Sequence, residues 1–151
     1  MIGTDGGALT SLDGKVVITI PPTALEDEFV FTYTPQPEPS YPGPSLDFAG
    51  ICFQLDAEDG LGAPVASFEV PVLVTVHYMD ADVAAIPEST LRLWVWDEAS
   101  TTWLGAATTC DPEAACVRDL EANTFSTNIC HLSEFAVFGQ SQKLFLPLVQ
   151  R

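Results

Sequence analysis

Short segments of alternating apolar and polar residues, closed by proline or glycine, recur along the 151-residue chain. KVVITI (15–20) ends at a Pro-Pro pair, and EFVFTYT (28–34) ends at Pro35. A period of two places every second side chain on one face of a β-strand. A helical turn is predicted only in DADVAAI (80–86), where Asp80 is suited to cap it.

Further segments of the same kind follow at a spacing of roughly 8 to 12 residues, with glycine and proline between them, which is typical of an antiparallel sandwich. The segment 35–44 holds five prolines and is predicted to be a surface loop or an edge crossing. We therefore predict an all-β fold, an antiparallel β-sandwich of about ten strands with one short helical turn. The remaining predicted strands are residues 46–55, 68–78, 91–97, 102–107, 123–130, 134–139 and 144–149.

A chain of 151 residues has the size of one domain. We predict a single sandwich domain over residues 1–139 and an apolar C-terminal strand or tail, residues 140–151, that packs on the same domain or on a partner. Because Pro147 interrupts the run LFLPLV, that run is restricted to a sheet edge or a bulge. An exposed apolar strand promotes association, so the predicted partners are copies of this chain or other surface-protein domains.

Three features of the sequence limit the expected partners and location: the net charge, the length of the apolar runs and the first ten residues. The 21 acidic and 5 basic residues give a formal net charge of −16, which repels phosphate backbones and excludes nucleic acid as a partner. No run approaches the ~20 apolar residues of a membrane span. The opening MIGTDGGALT lacks the basic and apolar regions of a signal peptide. We expect an exported protein, extracellular or at the cell surface, represented by a mature fragment with an added Met.

The four cysteines favour disulfides, because none stands in the C-x-x-C spacing of zinc or redox motifs. Cys110 and Cys116 bracket the short acidic loop DPEAA, and we predict a bridge between them. Cys52 and Cys130 lie in predicted strands and are suited to a second bridge across the fold. Other pairings stay open, and four free buried thiols are the alternative. No metal or other cofactor is predicted.

The stretch NICHLSEFAVFG (128–139) raises the question of self-cleavage. In an extended segment His131 and Ser133 project to the same face, with Leu132 opposite. A neutral His131 could take the Ser133 proton while the hydroxyl attacks the Leu132 carbonyl. The alternative is structural: His131 is a partly buried strand residue bonded to a neighbour, and Ser133 begins the next strand.

Three stretches resemble autoproteolytic domains of the ZU5/GAIN kind. CHLSEFAVFG resembles the GPS cleavage site of GAIN domains, and LRLWVWDEASTTWLGAATTC resembles the Trp-rich approach to that site. GGALTSLDGKVVITIPPTALEDEFVFTYTP resembles the opening of a ZU5 domain, so the resemblance covers most of residues 6–139.

The resemblance implies a β-sandwich, and some members of both families cut themselves at such a triplet. It implies that His131 is the general base, Ser133 the nucleophile and Leu132 the residue whose carbonyl is attacked. The receptor motif usually has Cys two and four positions before its His, whereas Cys130 immediately precedes His131 here. The receptor disulfide arrangement therefore does not transfer.

We predict an extracellular structural or assembly module of a bacterial surface or secreted protein, cut between Leu132 and Ser133. The predicted activity is at most single-turnover autoproteolysis, and no enzyme with multiple turnovers is predicted. The ending LPLV followed by a basic residue is similar to that of secreted proteins of filamentous phototrophic bacteria.

The competing prediction is a module that binds carbohydrate or calcium without cutting itself. Its sugar-stacking candidates are Trp94, Trp96 and Trp103, although core packing is the expected use of these rings. Trp94 and Trp96 share a strand face, so one is expected in the core and the other at a sheet edge. The weak calcium candidates are Asp56, Glu58 and Asp59, whose spacing does not fit an EF-hand.

Overall fold

Two five-stranded antiparallel sheets face each other in the computed structural model. The predicted all-β sandwich of about ten strands is confirmed. The first sheet has the strand order β1-β2-β5-β9-β8 and the second has the order β3-β4-β10-β6-β7. The structure describes residues 6–22, 29–41, 46–65, 67–83, 86–110 and 116–140. The strands are β1 (Gly7–Thr10), β2 (Val16–Ile20), β3 (Val30–Gln36), β4 (Asp47–Glu58), β5 (Ser67–His77), β6 (Arg92–Asp97), β7 (Thr102–Gly105), β8 (Val117–Asp119), β9 (Thr124–His131) and β10 (Glu134–Gly139).

The core between the sheets follows from the period-two pattern. Val16, Ile18 and Ile20 of β2 are buried, while the residues between them are half-buried. Each such side chain contributes about 1.5–3 kcal/mol through removal of its apolar surface from water. The second sheet contributes Phe53 and Phe135, whose rings stack at 5.4 Å between centroids. The alternation in the sequence therefore fixes which face of each strand points inward.

β10 lies in the middle of the second sheet and is buried along its whole length. It pairs with β4 on one side and with β6 on the other. At its end, Gly139 packs closely on the loop before β6, where a Cβ would lie 2.3 Å from Ile86 Cγ2. Only glycine fits this approach without a shift. β10 is therefore held by two ladders and by packing on both faces.

The outer faces of the two sheets differ. On the first sheet, the hydroxyls of Thr75 and Ser126 are hydrogen-bonded at 3.2 Å. The second sheet carries a separate apolar cluster, which we call the outer aromatic face. Trp94 and Trp96 share this face, as predicted, but neither belongs to the core between the sheets, because that side of β6 presents Leu93 and Val95. The outer aromatic face consists of Tyr41, Leu46, Phe48, Cys52, Trp94, Trp96, Trp103, Ala136 and Phe138.

Several local predictions need adjustment. β1 and β8 were not predicted, because they are short edge strands with mostly exposed side chains. β3 continues through Pro35 to Gln36, which is tolerated because β3 is an edge strand. The predicted helical turn is a 3-10 turn over Asp80–Val83, and two others cover Glu88–Thr90 and Ala106–Thr109. In the part of the chain that the structure describes, no helix could cross a membrane. The predicted strand 144–149 lies outside the described residues.

The predicted disulfide pairing is wrong. Cys110 is bonded to Cys130, and Cys52 and Cys116 are free. The 3-10 turn at Ala106–Thr109 packs on β9, and the Cys130 N–H donates a hydrogen bond to Thr109 Oγ1 at 2.9 Å. This contact brings Cys110 to the end of β9, whereas Cys52 faces away from the core on the second sheet. The bridge ties the turn after β7 in the second sheet to β9 in the first.

Candidate functional site

The His131-Leu132-Ser133 triplet lies where the chain passes from one sheet to the other. β9 ends at His131 in the first sheet, and β10 begins at Glu134 in the second. The shared face expected for His131 and Ser133 requires one extended segment, whereas the chain changes sheets between these two residues. The His131 side chain is exposed, Ser133 is half-buried, and Leu132 packs against the core.

Backbone contacts hold both ends of this crossover. The Ser133 carbonyl accepts a hydrogen bond from the Leu55 N–H at 3.1 Å, so the second sheet fixes one end. At the upstream end of the crossover, His131 of β9 pairs with Ser67 of β5. The register of the β5–β9 pairing shifts between Ser67 and Val72. Such bulges occur preferentially at sheet edges and beside active sites. The Leu132–Ser133 peptide is thus anchored downstream and flanked by irregular pairing upstream.

All three residues of the triplet line one open groove of about 400 Å³. Trp96 and Asp97, at the end of β6, also line this groove. The His131 and Ser133 side chains are not hydrogen-bonded to each other. In the described backbone, positive φ values outside glycine occur only at Thr101 and Asn123, so the triplet is free of that form of strain. The structure therefore brings the His131 and Ser133 side chains to one groove without a direct hydrogen bond between them.

Glu134, directly after the triplet, is a buried acid that the sequence analysis missed. It is 3% exposed, and its Oε2 accepts hydrogen bonds from the Ser40 N–H at 2.7 Å and from Cys52 Sγ at 3.7 Å. Burial, together with the Glu134 carboxylate, raises the pKa of the Cys52 thiol to about 12. The sequence does carry a signal for this buried acid: Glu134 is an acidic residue at the start of the otherwise apolar strand EFAVFG.

Glu134 fixes the loop that follows β3. The neighbour of Ser40, Tyr41, stacks on Trp96 with ring centroids 4.0 Å apart and planes 3° apart. Trp96 also meets the Trp103 ring edge to face at 5.6 Å. One face of Trp96 is therefore occupied by Tyr41, which argues against Trp96 as an open platform for a sugar ring.

The three weak calcium candidates do not form a site. Asp59 Oδ1 accepts the N–H groups of Leu61 and Ala63, both at 2.9 Å, and so closes the turn after β4. Asp56 Oδ1 accepts a hydrogen bond from Gln54 Nε2 at 3.2 Å. Across the described ranges, no three His, Cys, Asp or Glu side chains are placed to bind one metal ion.

Comparison with known proteins does not assign the chain to a family: no family model matches it, and no curated protein matches it. The ZU5/GAIN resemblance of the sequence motifs therefore stays a hypothesis. The two-sheet architecture and the position of the triplet between β9 and β10 are compatible with that hypothesis.

Proposed function

We propose that this chain is an extracellular structural or assembly domain of the ZU5/GAIN kind that cuts itself once, between Leu132 and Ser133. The observation that carries the proposal is the placement of His131, Leu132 and Ser133 along one open groove at the crossover between the sheets. Water reaches such a groove, which the second half of the reaction requires.

The chemistry is an acyl shift from nitrogen to oxygen followed by hydrolysis. Neutral His131 accepts the Ser133 hydroxyl proton while Oγ attacks the Leu132 carbonyl carbon. The tetrahedral intermediate expels the Ser133 nitrogen, which takes the proton back from the imidazolium, and an ester joins Leu132 to Ser133 Oγ. Water then hydrolyses the ester to a Leu132 carboxylate and a restored Ser133 hydroxyl, and the Ser133 amine released in the shift becomes a new N-terminus.

The reaction requires the two side chains to approach each other. The His131 side chain is exposed, and an exposed side chain can change its χ1 rotamer. The hydrogen bond that the Leu55 N–H donates to the Ser133 carbonyl holds the Ser133 backbone in place. Hydrogen bonds between catalytic groups are often long or poorly aligned before the reacting complex forms. The missing His131–Ser133 bond is therefore compatible with a base that rotates into position.

The smaller product stays in the fold without a covalent link. The piece from Ser133 to Arg151 has 19 residues and contains no cysteine. The Cys110–Cys130 bridge lies wholly within the larger piece. The ladders of β10 to β4 and β6 and the burial of its six residues hold the pieces together until the protein is denatured.

An extracellular role is supported by the disulfide, which forms and persists in oxidising compartments. A domain that cuts itself once and keeps both pieces serves as a structural element. Its proposed partners are other domains of a surface protein.

The experiment is denaturing intact-mass spectrometry of the purified chain. We expect masses for residues 1–132 and 133–151, and Ser133→Ala and His131→Ala should each leave the chain whole. The matched controls are Ser89→Ala and His77→Ala, which replace an exposed serine and the other of the chain's two histidines. A full-length mass alone in the unmodified protein, or cutting that persists in Ser133→Ala, would refute the proposal.

A further inference from the structure

Asp97 stands across from Ser133 at the end of the ladder between β6 and β10. That antiparallel pairing places Phe135 opposite Val95. In an antiparallel pair, each step back along one strand matches a step forward along the other. Two steps beyond the Phe135–Val95 pair, Ser133 and Asp97 therefore occupy facing register positions. The bond from the Leu55 N–H to the Ser133 carbonyl keeps Ser133 in line with the sheet, and both facing residues line the groove of the candidate site.

The alternation along each strand decides which side of the second sheet these two residues occupy. In β6, Leu93 and Val95 belong to the core between the sheets. Asp97 is the next residue of that series, so it lies on the side of β6 that faces the first sheet. Ser133 has the same relation to Phe135, a core residue of β10. Asp97 and Ser133 therefore lie on one side of the second sheet, toward the first.

His131 comes to the groove from the opposite layer. It is the last residue of β9 in the first sheet, where Phe125 and Ile129 face the core. His131 continues that series, so it lies on the side of the first sheet that faces the second. The two sheets therefore contribute three polar side chains to one groove: an imidazole, a hydroxyl and a carboxylate.

The turn after β6 holds the Asp97 carboxylate. Its Oδ2 atom accepts hydrogen bonds from the Ser100 N–H, at 3.2 Å, and from the Ser100 hydroxyl. Both bonds use Oδ2, so neither occupies Oδ1. Asp97 is half-buried, and its backbone pairs with Thr102 of β7. The residue is thus fixed from two sides, and its bonds to Ser100 leave Oδ1 for a donor in the groove.

A carboxylate beside an imidazole has a defined effect on base catalysis. It accepts the N–H of one ring nitrogen, so the other nitrogen carries the lone pair that takes a proton. It also stabilises the imidazolium that forms after the proton transfer. The proposed self-cleavage passes through such an imidazolium, because His131 takes the Ser133 proton.

We propose that Asp97 is a positioning residue for His131: Asp97 Oδ1 accepts the Nδ1–H of the rotated imidazole, and Nε2 faces the Ser133 hydroxyl. The proton moves from Ser133 Oγ to His131 Nε2, and it passes to the Ser133 nitrogen when the peptide bond to Leu132 breaks. Asp97 stays unprotonated throughout. This inference rests on the proposed self-cleavage and adds the residue that orients its base.

The rate of self-cleavage tests this role. The full chain would be made by cell-free translation under oxidising conditions, and intact masses of denatured samples would follow the loss of the full-length chain with time. Asp97→Asn should slow cutting at least about 10-fold, compared with the ~10⁴-fold loss for the same change in a buried Ser-His-Asp triad. Asp97→Glu keeps a carboxylate and should restore part of the rate.

Two control variants separate this role from the closing of a turn. Asp119 ends β8, outside the groove, and its Oδ1 accepts the N–H groups of Glu121 and Ala122; Asp119→Asn should leave the rate unchanged. Ser100→Ala removes the hydroxyl bond to Asp97 and should slow cutting less than Asp97→Asn. Equal rates in Asp97→Asn and the unmodified chain would overturn the proposal. Equal slowing by Ser100→Ala would also overturn it.

A second measurement requires no cutting. In the uncut Ser133→Ala chain, ¹⁵N NMR shows which imidazole nitrogen carries the proton, and His77 is the internal reference. Adding Asp97→Asn should shift His131 from the Nδ1–H toward the Nε2–H form, so that its two nitrogen signals move in opposite directions. Unchanged His131 signals would overturn the proposal. An unmodified chain that is never cut would refute the proposed function, and the NMR comparison would still decide whether Asp97 orients His131.

Discussion

The Cys110–Cys130 disulfide gives a prediction whose size follows from the fold. The two cysteines are 20 residues apart, and both are buried. Closing a loop of that length restricts the unfolded chain and stabilises the folded state by about 3 kcal/mol. In a domain of roughly 150 residues, 1 kcal/mol corresponds to about 2–4 °C in Tm. The double variant Cys110→Ala, Cys130→Ala should therefore unfold roughly 6–12 °C below the unmodified protein.

Differential scanning calorimetry, with and without reductant, measures the effect. Either single variant should lose nearly as much as the double variant, because each one removes the whole cross-link. Cys116→Ala is the matched control, and its Tm should fall as far as that of the unmodified protein when reductant is added. An unchanged Tm in the double variant, or a non-reducing peptide map joining Cys110 to Cys116, would refute the reasoning.

Three further predictions concern the interior. Phe135→Ala should cost about 3–5 kcal/mol in urea unfolding, because it opens a cavity beside Phe53; a loss below 1 kcal/mol would contradict the packing described. Glu134→Ala should cost about 1–3 kcal/mol by removing the hydrogen bonds that the Ser40 N–H and Cys52 Sγ donate to this buried carboxyl, and Glu134→Gln should cost less; equal losses would argue against these bonds. Burial raises the pKa of Cys52 from 9.0 to about 12 and the pKa of Tyr78 from 10.0 to about 12. Between these values the folded protein keeps protons that the unfolded chain releases. Stability should therefore fall as the pH rises from about 9 to 12, and Cys52→Ala should reduce that slope; a flat profile would contradict the burial of these groups.

The strands that the sequence predicts best are those with one buried and one exposed face. In β2, Val16, Ile18 and Ile20 alternate with less buried residues, so the amino-acid sequence itself shows a period of two. β10 has no such alternation, and its run EFAVFG is buried on both faces. A continuous apolar run indicates a strand that is covered on both sides. It does not indicate what covers the second side, so the outer aromatic face was not predicted.

The disulfide pairing could not be predicted for a different reason. Loop length favours Cys110 with Cys116, but pairing depends on which strands meet in space. The 3-10 turn before Cys110 packs on β9, and this contact between distant parts of the chain brings Cys130 within reach. No local pattern encodes that contact. The same limit applies to Glu134, whose partners Ser40 and Cys52 are more than 80 residues away in sequence.

The candidate site was predicted in its residues but not in its geometry. Alternation places His131 and Ser133 on one face only if the strand continues through both. β9 ends at His131, since the next residues carry the chain to the other sheet. The sequence identifies the triplet, and the fold puts it at an exposed groove between the layers.

N-terminal sequencing of the purified, denatured protein tests self-cleavage most directly. The account predicts a second N-terminus, Ser-Glu-Phe-Ala-Val, beginning at Ser133 and absent from Ser133→Ala. A single N-terminus from the start of the chain would contradict it.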